Sequence, residues 1–318
     1  MGIAWLFPGQ GAQTVGMGKD VLAASPAARE VFARVDDALG EALSRLVLEG
    51  PEPELTVTAN AQPAIVATSS AILAAIRERL QGLPPPDYAA GHSLGEYSAL
   101  VAAEALKLED AVRLVRARGR AMQEAVPRGV GAMSAILGVD PARIAALCVQ
   151  VATERGEVVS PANFNAPGQI VVAGHAGAVA RVGALVAAEK GRAIPLNVSA
   201  PFHCSLMAPA ARVVEAELER VAVAAPKFPI VANLDARPNA EPSRVKELLV
   251  GQVQGAVRWE EGVRAMVDAG VTHALEIGPG KVLANLAKRI AKDLRVHSVY
   301  DMASLEEVPS FLETARAA

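Results

Sequence analysis

The pentapeptide Gly91-His-Ser-Leu-Gly95 limits what this chain can fold into more than any other stretch of it. It fits G-x-S-x-G, in which a serine sits on a tight turn between a strand and a helix. The two glycines remove side chains where strand and helix nearly touch, so the pattern requires a strand before it and a helix after it. Both are legible: Asp87–Ala90 reads as a short strand and Ser93–Leu106 as a helix. The backbone N–H of Leu94, at the helix start, then points where an oxyanion would form, and the helix dipole adds to it. Ser93 is thereby a candidate nucleophile.

The rest of the chain supplies a fold that can hold such a turn. Ile3–Phe7 reads as a buried strand running into the Gly-rich loop Pro8–Gln13, and helical patterns cover Pro26–Ala38, Pro63–Leu80 and Glu109–Ala125. This alternation predicts an α/β fold with a mainly parallel sheet and helices on both faces. The middle changes character. Strands at Ala132–Gly138, Val158–Ala162, Gln169–Gly174 and Ala193–Val198 are interleaved with a helix opening at Asp140-Pro141 and another at Ala178–Glu189. In order this is β-α-β-β-α-β, the ferredoxin-like arrangement. The expected organisation is a large α/β-hydrolase-like unit from residues 1–127 and 199–318, with a ferredoxin-like subdomain at 128–198 inserted into it. The C-terminal third returns to the first pattern, with strands at Ile230–Asn233 and Ala274–Ile277, helices at Arg244–Val253 and Arg258–Asp268, and a Gly278-Pro-Gly280 turn into a helix at Lys281–Ile290.

Composition excludes several classes. With 52% apolar residues, 318 residues can bury a large core, and a disordered chain is excluded. A net charge of −3 argues against a general nucleic-acid binder. Cys148 and Cys204 can make neither a disulfide framework nor a four-thiolate zinc site, and no metal centre is expected. A reducing cytosol is the simplest location. The N-terminus has no basic region and breaks at Pro8-Gly9, which argues against a signal peptide, and no apolar run is expected to reach the ~18–20 residues of a membrane span.

A serine nucleophile needs a base. Of five histidines, His92 flanks the elbow and is expected to point away from the cleft; His175 closes a strand, His273 precedes one, and His297 lies in a polar C-terminal stretch. His203 sits in Ser199-Ala-Pro-Phe-His-Cys-Ser-Leu-Met207, where the chain leaves the inserted unit and a loop would face the cleft between subdomains. It is the candidate base, with Cys204 a small buried filler. Arg118 falls on the apolar stripe Ala111, Val115, Met122, Ala125, while Arg113, Arg116 and Arg120 fall off it. A buried guanidinium needs a partner. Two are open: an internal salt bridge, or a carboxylate that arrives with the substrate and is held by a bidentate fork.

Seven motifs in order resemble the malonyl-CoA:acyl carrier protein transacylases and the acyltransferase domains of fatty acid and polyketide synthases. They are Phe7-Pro-Gly-Gln-Gly-Ala-Gln13, Thr58-Ala-Asn-Ala-Gln-Pro63, Gly91-His-Ser-Leu-Gly-Glu-Tyr-Ser98, Arg118-Gly-Arg-Ala-Met-Gln123, Asn163-Phe-Asn-Ala-Pro-Gly-Gln169, Pro201-Phe-His203 and Glu276-Ile-Gly-Pro-Gly280. The resemblance implies a two-step transfer from malonyl-CoA, through malonyl-Ser93 with His203 as base, to the phosphopantetheine thiol of acyl carrier protein. It implies no bound cofactor. It places the oxyanion hole at the N–H groups of Gln10 and Leu94, has Gln62 shape the pocket and has Arg118 hold the malonyl carboxylate. It orients the histidine by a backbone carbonyl, here that of Gln252; nearby, Gly255-Ala256 stands where Asn-Pro is common. Phe202 accompanies malonyl selection. Acyl carrier proteins are generally acidic, which makes Lys190, Arg192, Lys288, Arg289 and Lys292 candidates for docking, as against ordinary solvated cations. Other readings stay open on sequence: a thioesterase or esterase with water as acceptor, a non-catalytic carrier-docking module, and an acyltransferase acting in trans on polyketide carriers.

Overall fold

A strand as uniformly apolar as the first one needs cover on both faces, which a parallel sheet flanked by helices provides. The computed structural model describes residues 2–198 and 200–317. Its strands are β1 (Gly2–Phe7), β2 (Tyr88–Gly91), β3 (Gly131–Leu137), β4 (Val159–Ala166), β5 (Gln169–His175), β6 (Arg192–Pro195), β7 (Ile230–Val231), β8 (Pro238–Asn239), β9 (Val271–Ile277) and β10 (Arg295–Val299). Six of them form one sheet in the order β10-β9-β1-β2-β7-β8. Every neighbouring pair in it is parallel except β7–β8. The fold is therefore mixed α/β with a mostly parallel main sheet. In β1, Ala4 to Phe7 are buried and register with Tyr88 to Gly91 of β2, which brings the loops after both strands to the same edge.

The remaining four strands form a separate antiparallel sheet, β4-β5-β3-β6. The alternation of strand side chains divides its burial. Ile136, Ile170 and Val172 join the helices Pro141–Arg155 and Ala176–Ala188 in one apolar cluster, while Met133, Val171 and Ala173 face the main core. Chain entry and exit lie together: a Cβ added to Gly131 would come within 2.3 Å of the Pro201 ring. β4 is also clipped to the larger sheet's side of the molecule, with Phe164 N–H donating to Val257 O (2.9 Å) and Val257 N–H to Ala162 O (2.8 Å). Ser199, where the sequence puts the return to the larger unit, lies outside the described residues.

Several expectations are corrected. The helix expected from Pro63 begins at Thr58, with Pro63 inside it; the ring removes one ladder bond, and burial of Ala61, Gln62 and Ala64 keeps the turn helical. The resulting 22-residue helix, Thr58–Arg79, is long and apolar enough to span a membrane, contrary to the expectation that no run is, and 83% of its most apolar window is buried inside this fold. The helix after the elbow stops at Ala102, not Leu106, because Glu104 turns left-handed (φ 57°) and the Ala105 N–H folds back onto Leu100 O. β4 runs through Asn163–Ala166, expected as a turn, leaving Pro167-Gly168 as the hairpin loop; register shifts at Asn163 and Ala166 accommodate the turn-prone residues. His273 lies within β9, and His297 lies on the edge strand β10, which the polar sequence concealed.

Candidate active site

Steric necessity builds the turn after β2. A Cβ on Gly91 would fall 1.9 Å from the Gly95 carbonyl, and one on Gly95 would fall 2.2 Å from Phe7 O. Between them Ser93 is held at φ 51°, a left-handed conformation that a non-glycine residue keeps only when its surroundings impose it. Asn233, just after β7, supplies that imposition: its Oδ1 accepts from Ser93 N–H (2.6 Å) and its Nδ2 donates to Gly91 O (2.7 Å).

His203, also left-handed at φ 60°, reaches the same point from the loop after β6. Its Nε2 lies 2.8 Å from Ser93 Oγ and its Nδ1 lies 2.8 Å from Gln252 O. Gln252 is in the last turn of the helix Pro242–Gln254, where carbonyls lack intrahelical partners. That carbonyl can only accept, so Nδ1 carries the hydrogen and Nε2 offers its lone pair to the serine hydroxyl. Burial first, and the Arg118 charge second, push His203 down to about 3. The imidazole is thus neutral around pH 7, the state a general base requires.

Arg118 is 1% exposed. It donates from Nη1 to Gln62 Oε1 (2.7 Å), and from Nη2 to both Ser93 Oγ (3.0 Å) and Gln252 Oε1 (3.0 Å). The guanidinium lies 5.8 Å from the Tyr97 ring centre. Its Nε has no partner, and among the described residues no carboxylate forms a salt bridge with it. Of the two partners open on sequence, the internal salt bridge is absent from these described residues.

Gln10, Leu94, Gln62 and Phe202 line the same cleft of about 740 Å³ as Ser93, His203 and Arg118, and the small sheet contributes Met133, Asn163, Asn165 and Val171. Neither the Gln10 nor the Leu94 N–H meets an acceptor among the described residues. Gln252 stands behind the cleft, fully buried. His92 corrects its expectation. It lines the cleft, with Nε2 2.8 Å from Asn165 Oδ1, because the tight elbow turns it toward the small sheet. The other histidines have partners elsewhere: His175 Nδ1 accepts from Val158 N–H, and His297 Nε2 lies 2.7 Å from Ser304 O. Burial pushes the Cys204 thiol up to about 11, so it is no thiolate at neutral pH. All five surface cations, Lys190, Arg192, Lys288, Arg289 and Lys292, are exposed, and Arg289 is in addition engaged with Gln169 and Pro167 O at the small sheet's hairpin.

Two site residues escaped the sequence reading. Asn233 carried no signal beyond its place as the last residue of an expected strand, which in the structure already ends at Val231. Glu96 did: an acid one position past the elbow, on a helix that packs with Tyr97, Ser98 and Ala99 all buried, has to be buried itself. Its Oε2 accepts from Asn233 N–H (2.9 Å) and Gln252 Nε2 (2.9 Å). Burial pushes it up to about 7 against these donors.

A neutral imidazole on a serine, two open N–H groups beside it and an unpaired buried cation together suit transfer of an acyl group that carries an acid. Known proteins point the same way. The family described as acyl transferase domain matches residues 4–316. The malonyl CoA-acyl carrier protein transacylase of Haemophilus influenzae is 47% identical over 310 residues, covering 97% of this chain and 98% of the relative. That of Bacillus subtilis is 47% identical, with 96% and 95% covered. Among solved structures, an acyl-carrier-protein S-malonyltransferase from Bartonella henselae superposes with a TM-score of 0.95 at 44% identity, covering 98% of this chain and all of that one. A malonyl-transacylase in complex with a type II polyketide synthase acyl-carrier protein gives 0.93 at 45% identity, with 96% and 98% covered. On sequence, fold and extent of match, the chain belongs to the acyl transferase family that contains the malonyl-CoA:acyl carrier protein transacylases.

Proposed function

We propose that the chain transfers malonyl from malonyl-CoA to the phosphopantetheine thiol of acyl carrier protein, feeding fatty acid synthesis. The carrying observation is that Arg118, a buried cation with no carboxylate partner among the described residues, donates to the same oxygen that faces His203. The malonyl carboxylate is the missing anion. It takes up the guanidinium and releases Ser93 Oγ. Ser93 Oγ then attacks the thioester carbon while its proton passes to His203 Nε2. The Gln10 and Leu94 N–H groups hold the oxyanion. The C–S bond breaks, and the imidazolium returns its proton to the departing thiolate. In the second half the carrier's thiol gives its proton to Nε2, the sulfur attacks the malonyl-serine, and the serine oxygen leaves and is reprotonated.

The Gln252 carbonyl keeps Nε2 directed at the serine through both halves, Gln62 holds the guanidinium in place, and the Phe202 ring narrows the space beside the acyl α-carbon. The chemistry needs no resident cofactor, since coenzyme A comes and goes as substrate. In architecture, residues 1–127 and 199–318 are an α/β-hydrolase-like unit, and 128–198, with the strand order β4-β5-β3-β6, a ferredoxin-like insertion. Two unpaired cysteines accord with a cytoplasmic setting. Docking of the acidic carrier falls to the exposed Lys190, Arg192, Lys288 and Lys292, with Arg289 bracing the hairpin.

The test is mass spectrometry after mixing with malonyl-CoA and then with phosphopantetheinylated carrier. One malonyl group should appear on Ser93 and then move to the carrier. Loss of the group to water at the same rate without carrier would instead make the protein a thioesterase.

A further inference from the structure

We propose that Glu96 is the resting counterion of Arg118, acting through the Gln252 amide, and that the same carboxylate positions Gln252 and Asn233 against the nucleophile; the proposal rests on the malonyl-transfer reading above. The geometry is a relay. Arg118 Nη2 donates to Gln252 Oε1 (3.0 Å), and Gln252 Nε2 donates onward to Glu96 Oε2 (2.9 Å). One amide thus joins a buried cation to a buried anion that do not touch. Gln252 Nε2 also donates to Ser93 O (3.0 Å), and the Gln252 carbonyl orients His203. The other donor to Glu96 Oε2 is the N–H of Asn233, whose side chain clamps the elbow at Ser93 and Gly91. Glu96 is therefore the common acceptor of the residue that aims the base and the residue that shapes the nucleophile's turn.

A cation 1% exposed with no direct anion is costly unless charge compensation comes from nearby. Glu96, 2% exposed, lies within its field. The charged groups acting on Glu96 are Arg118 from the helix Leu108–Glu124 and Asp235 from the loop after β7. Arg118 favours the carboxylate and Asp235 opposes it. When the malonyl carboxylate meets Arg118, a second anion enters this field, so Glu96 competes with the substrate for one positive charge. It thereby moderates malonyl binding and keeps the empty site from holding stray anions tightly.

Because both donors converge on one oxygen, Glu96→Gln can keep the hydrogen bonds and delete the charge, whereas Glu96→Ala deletes both. With malonyl-CoA at pH 8, where Glu96 is a carboxylate, E96Q should lower KM roughly 10- to 30-fold, the scale of one charge acting across roughly 8–11 Å at an effective dielectric of ~20. The fall should be larger for malonyl-CoA than for acetyl-CoA, which brings no carboxylate to Arg118. E96A should slow formation of malonyl-Ser93 at least ~100-fold as the elbow and base lose their common anchor. Equal malonyl KM in parent and E96Q would overturn the counterion role, and so would a parallel fall for acetyl-CoA. E96A acylating at the parent rate would overturn the positioning role. An E96Q protein that melts where Ser93→Ala is folded would make Glu96 a structural residue and also overturn the proposal. Parent protein that never acylates Ser93 would instead defeat the malonyl-transfer reading, a separate outcome of the same mass measurement.

Discussion

Two turns at the same edge of the main sheet begin alike and end differently. β2 runs into Gly91-His-Ser-Leu-Gly95 and the helix Gly95–Ala102; β9 runs into Gly278-Pro-Gly280 and the helix Val282–Ile290. Both need glycine where a neighbour crowds: 1.9 Å to Gly95 at Gly91, and 2.4 Å to Ser69 Oγ at Gly278. Both bury a glutamate. Glu276 turns its oxygens mainly to the helix that follows its strand, accepting from Leu283 N–H (2.8 Å) and Ala284 N–H (3.0 Å), with the Ser298 hydroxyl (2.7 Å) of the paired strand β10 as the third donor. Glu96 accepts from residues far along the chain, Asn233 and Gln252. A buried acid satisfied mainly by the helix that follows it holds a turn together. One satisfied by distant donors makes separate segments share a single geometry, which a reaction site requires.

The sharpest break in this comparison is at the two serines. Ser93→Ala should cost on the order of 10³–10⁶-fold in malonyl transfer with the fold retained. Ser298→Ala, its counterpart beside Glu276, should leave transfer at the parent rate. A malonyl adduct at another residue of the Ser93→Ala protein would move the nucleophile elsewhere. Next comes Arg118→Ala, expected to cost ~2–5 kcal/mol in malonyl transfer while sparing acetyl transfer. Lysine should rescue only in part, lacking the planar fork. The readout is the malonyl-to-acetyl ratio of kcat/KM, and an unmoved ratio takes Arg118 out of substrate binding.

Glu276→Gln should lower stability by about 1–3 kcal/mol, because a neutral amide is the weaker cap and one helix N–H loses its acceptor. Its kcat should match the parent, and a kcat loss without a drop in Tm would erase the distinction between the two turns.

The most gradual effect is in pH. Glu96 is raised from 4.5 to about 7 on folding. Its contribution to stability is therefore fully present below pH 4.5 and lost as pH rises through about 7. His203, lowered from 6.5 to about 3, acts oppositely: its contribution is present above pH 6.5 and lost as pH falls toward about 3. Between pH 5 and 8 the parent should lose stability relative to Glu96→Gln by no more than about 1.4 kcal/mol per pH unit. Urea midpoints at the two pH values give the comparison, and a parent that instead gains on the variant would assign Glu96 a depressed pKa.

The elbow, the alternating main sheet and the stripe holding Arg118 were legible because each rests on short-range pattern: glycine spacing, a period of two and a period near 3.6. His203 was reachable only through its place at a junction. What escaped the sequence depends on contacts across long separations. Asn233 reaches Ser93 over 140 positions and Gln252 reaches Glu96 over 156, and no local periodicity encodes such meetings. His92 was misjudged for the same reason, since its direction is set by Asn165 on another sheet. The early start of the helix at Thr58 and the extension of β4 through Asn163 show tertiary packing overriding the turn preference of Pro and Asn.

The crowding of Gly131 against Pro201 has an evolutionary reading. A segment that departs from and rejoins its host at one spot leaves the host's own path nearly closed, so gaining, losing or trading it asks little loop-closure entropy of the remaining chain. The insertion proposed for residues 128–198 would in that sense be a cassette. The backbone clip from β4 to Val257 sets the terms of exchange. A replacement would have to present an open strand edge at the right height, or the cleft wall bearing Asn163, Asn165 and Val171 would swing free of Ser93. Acyl-group preference could then diversify by swapping the wall while the elbow and its anchors stayed as they are.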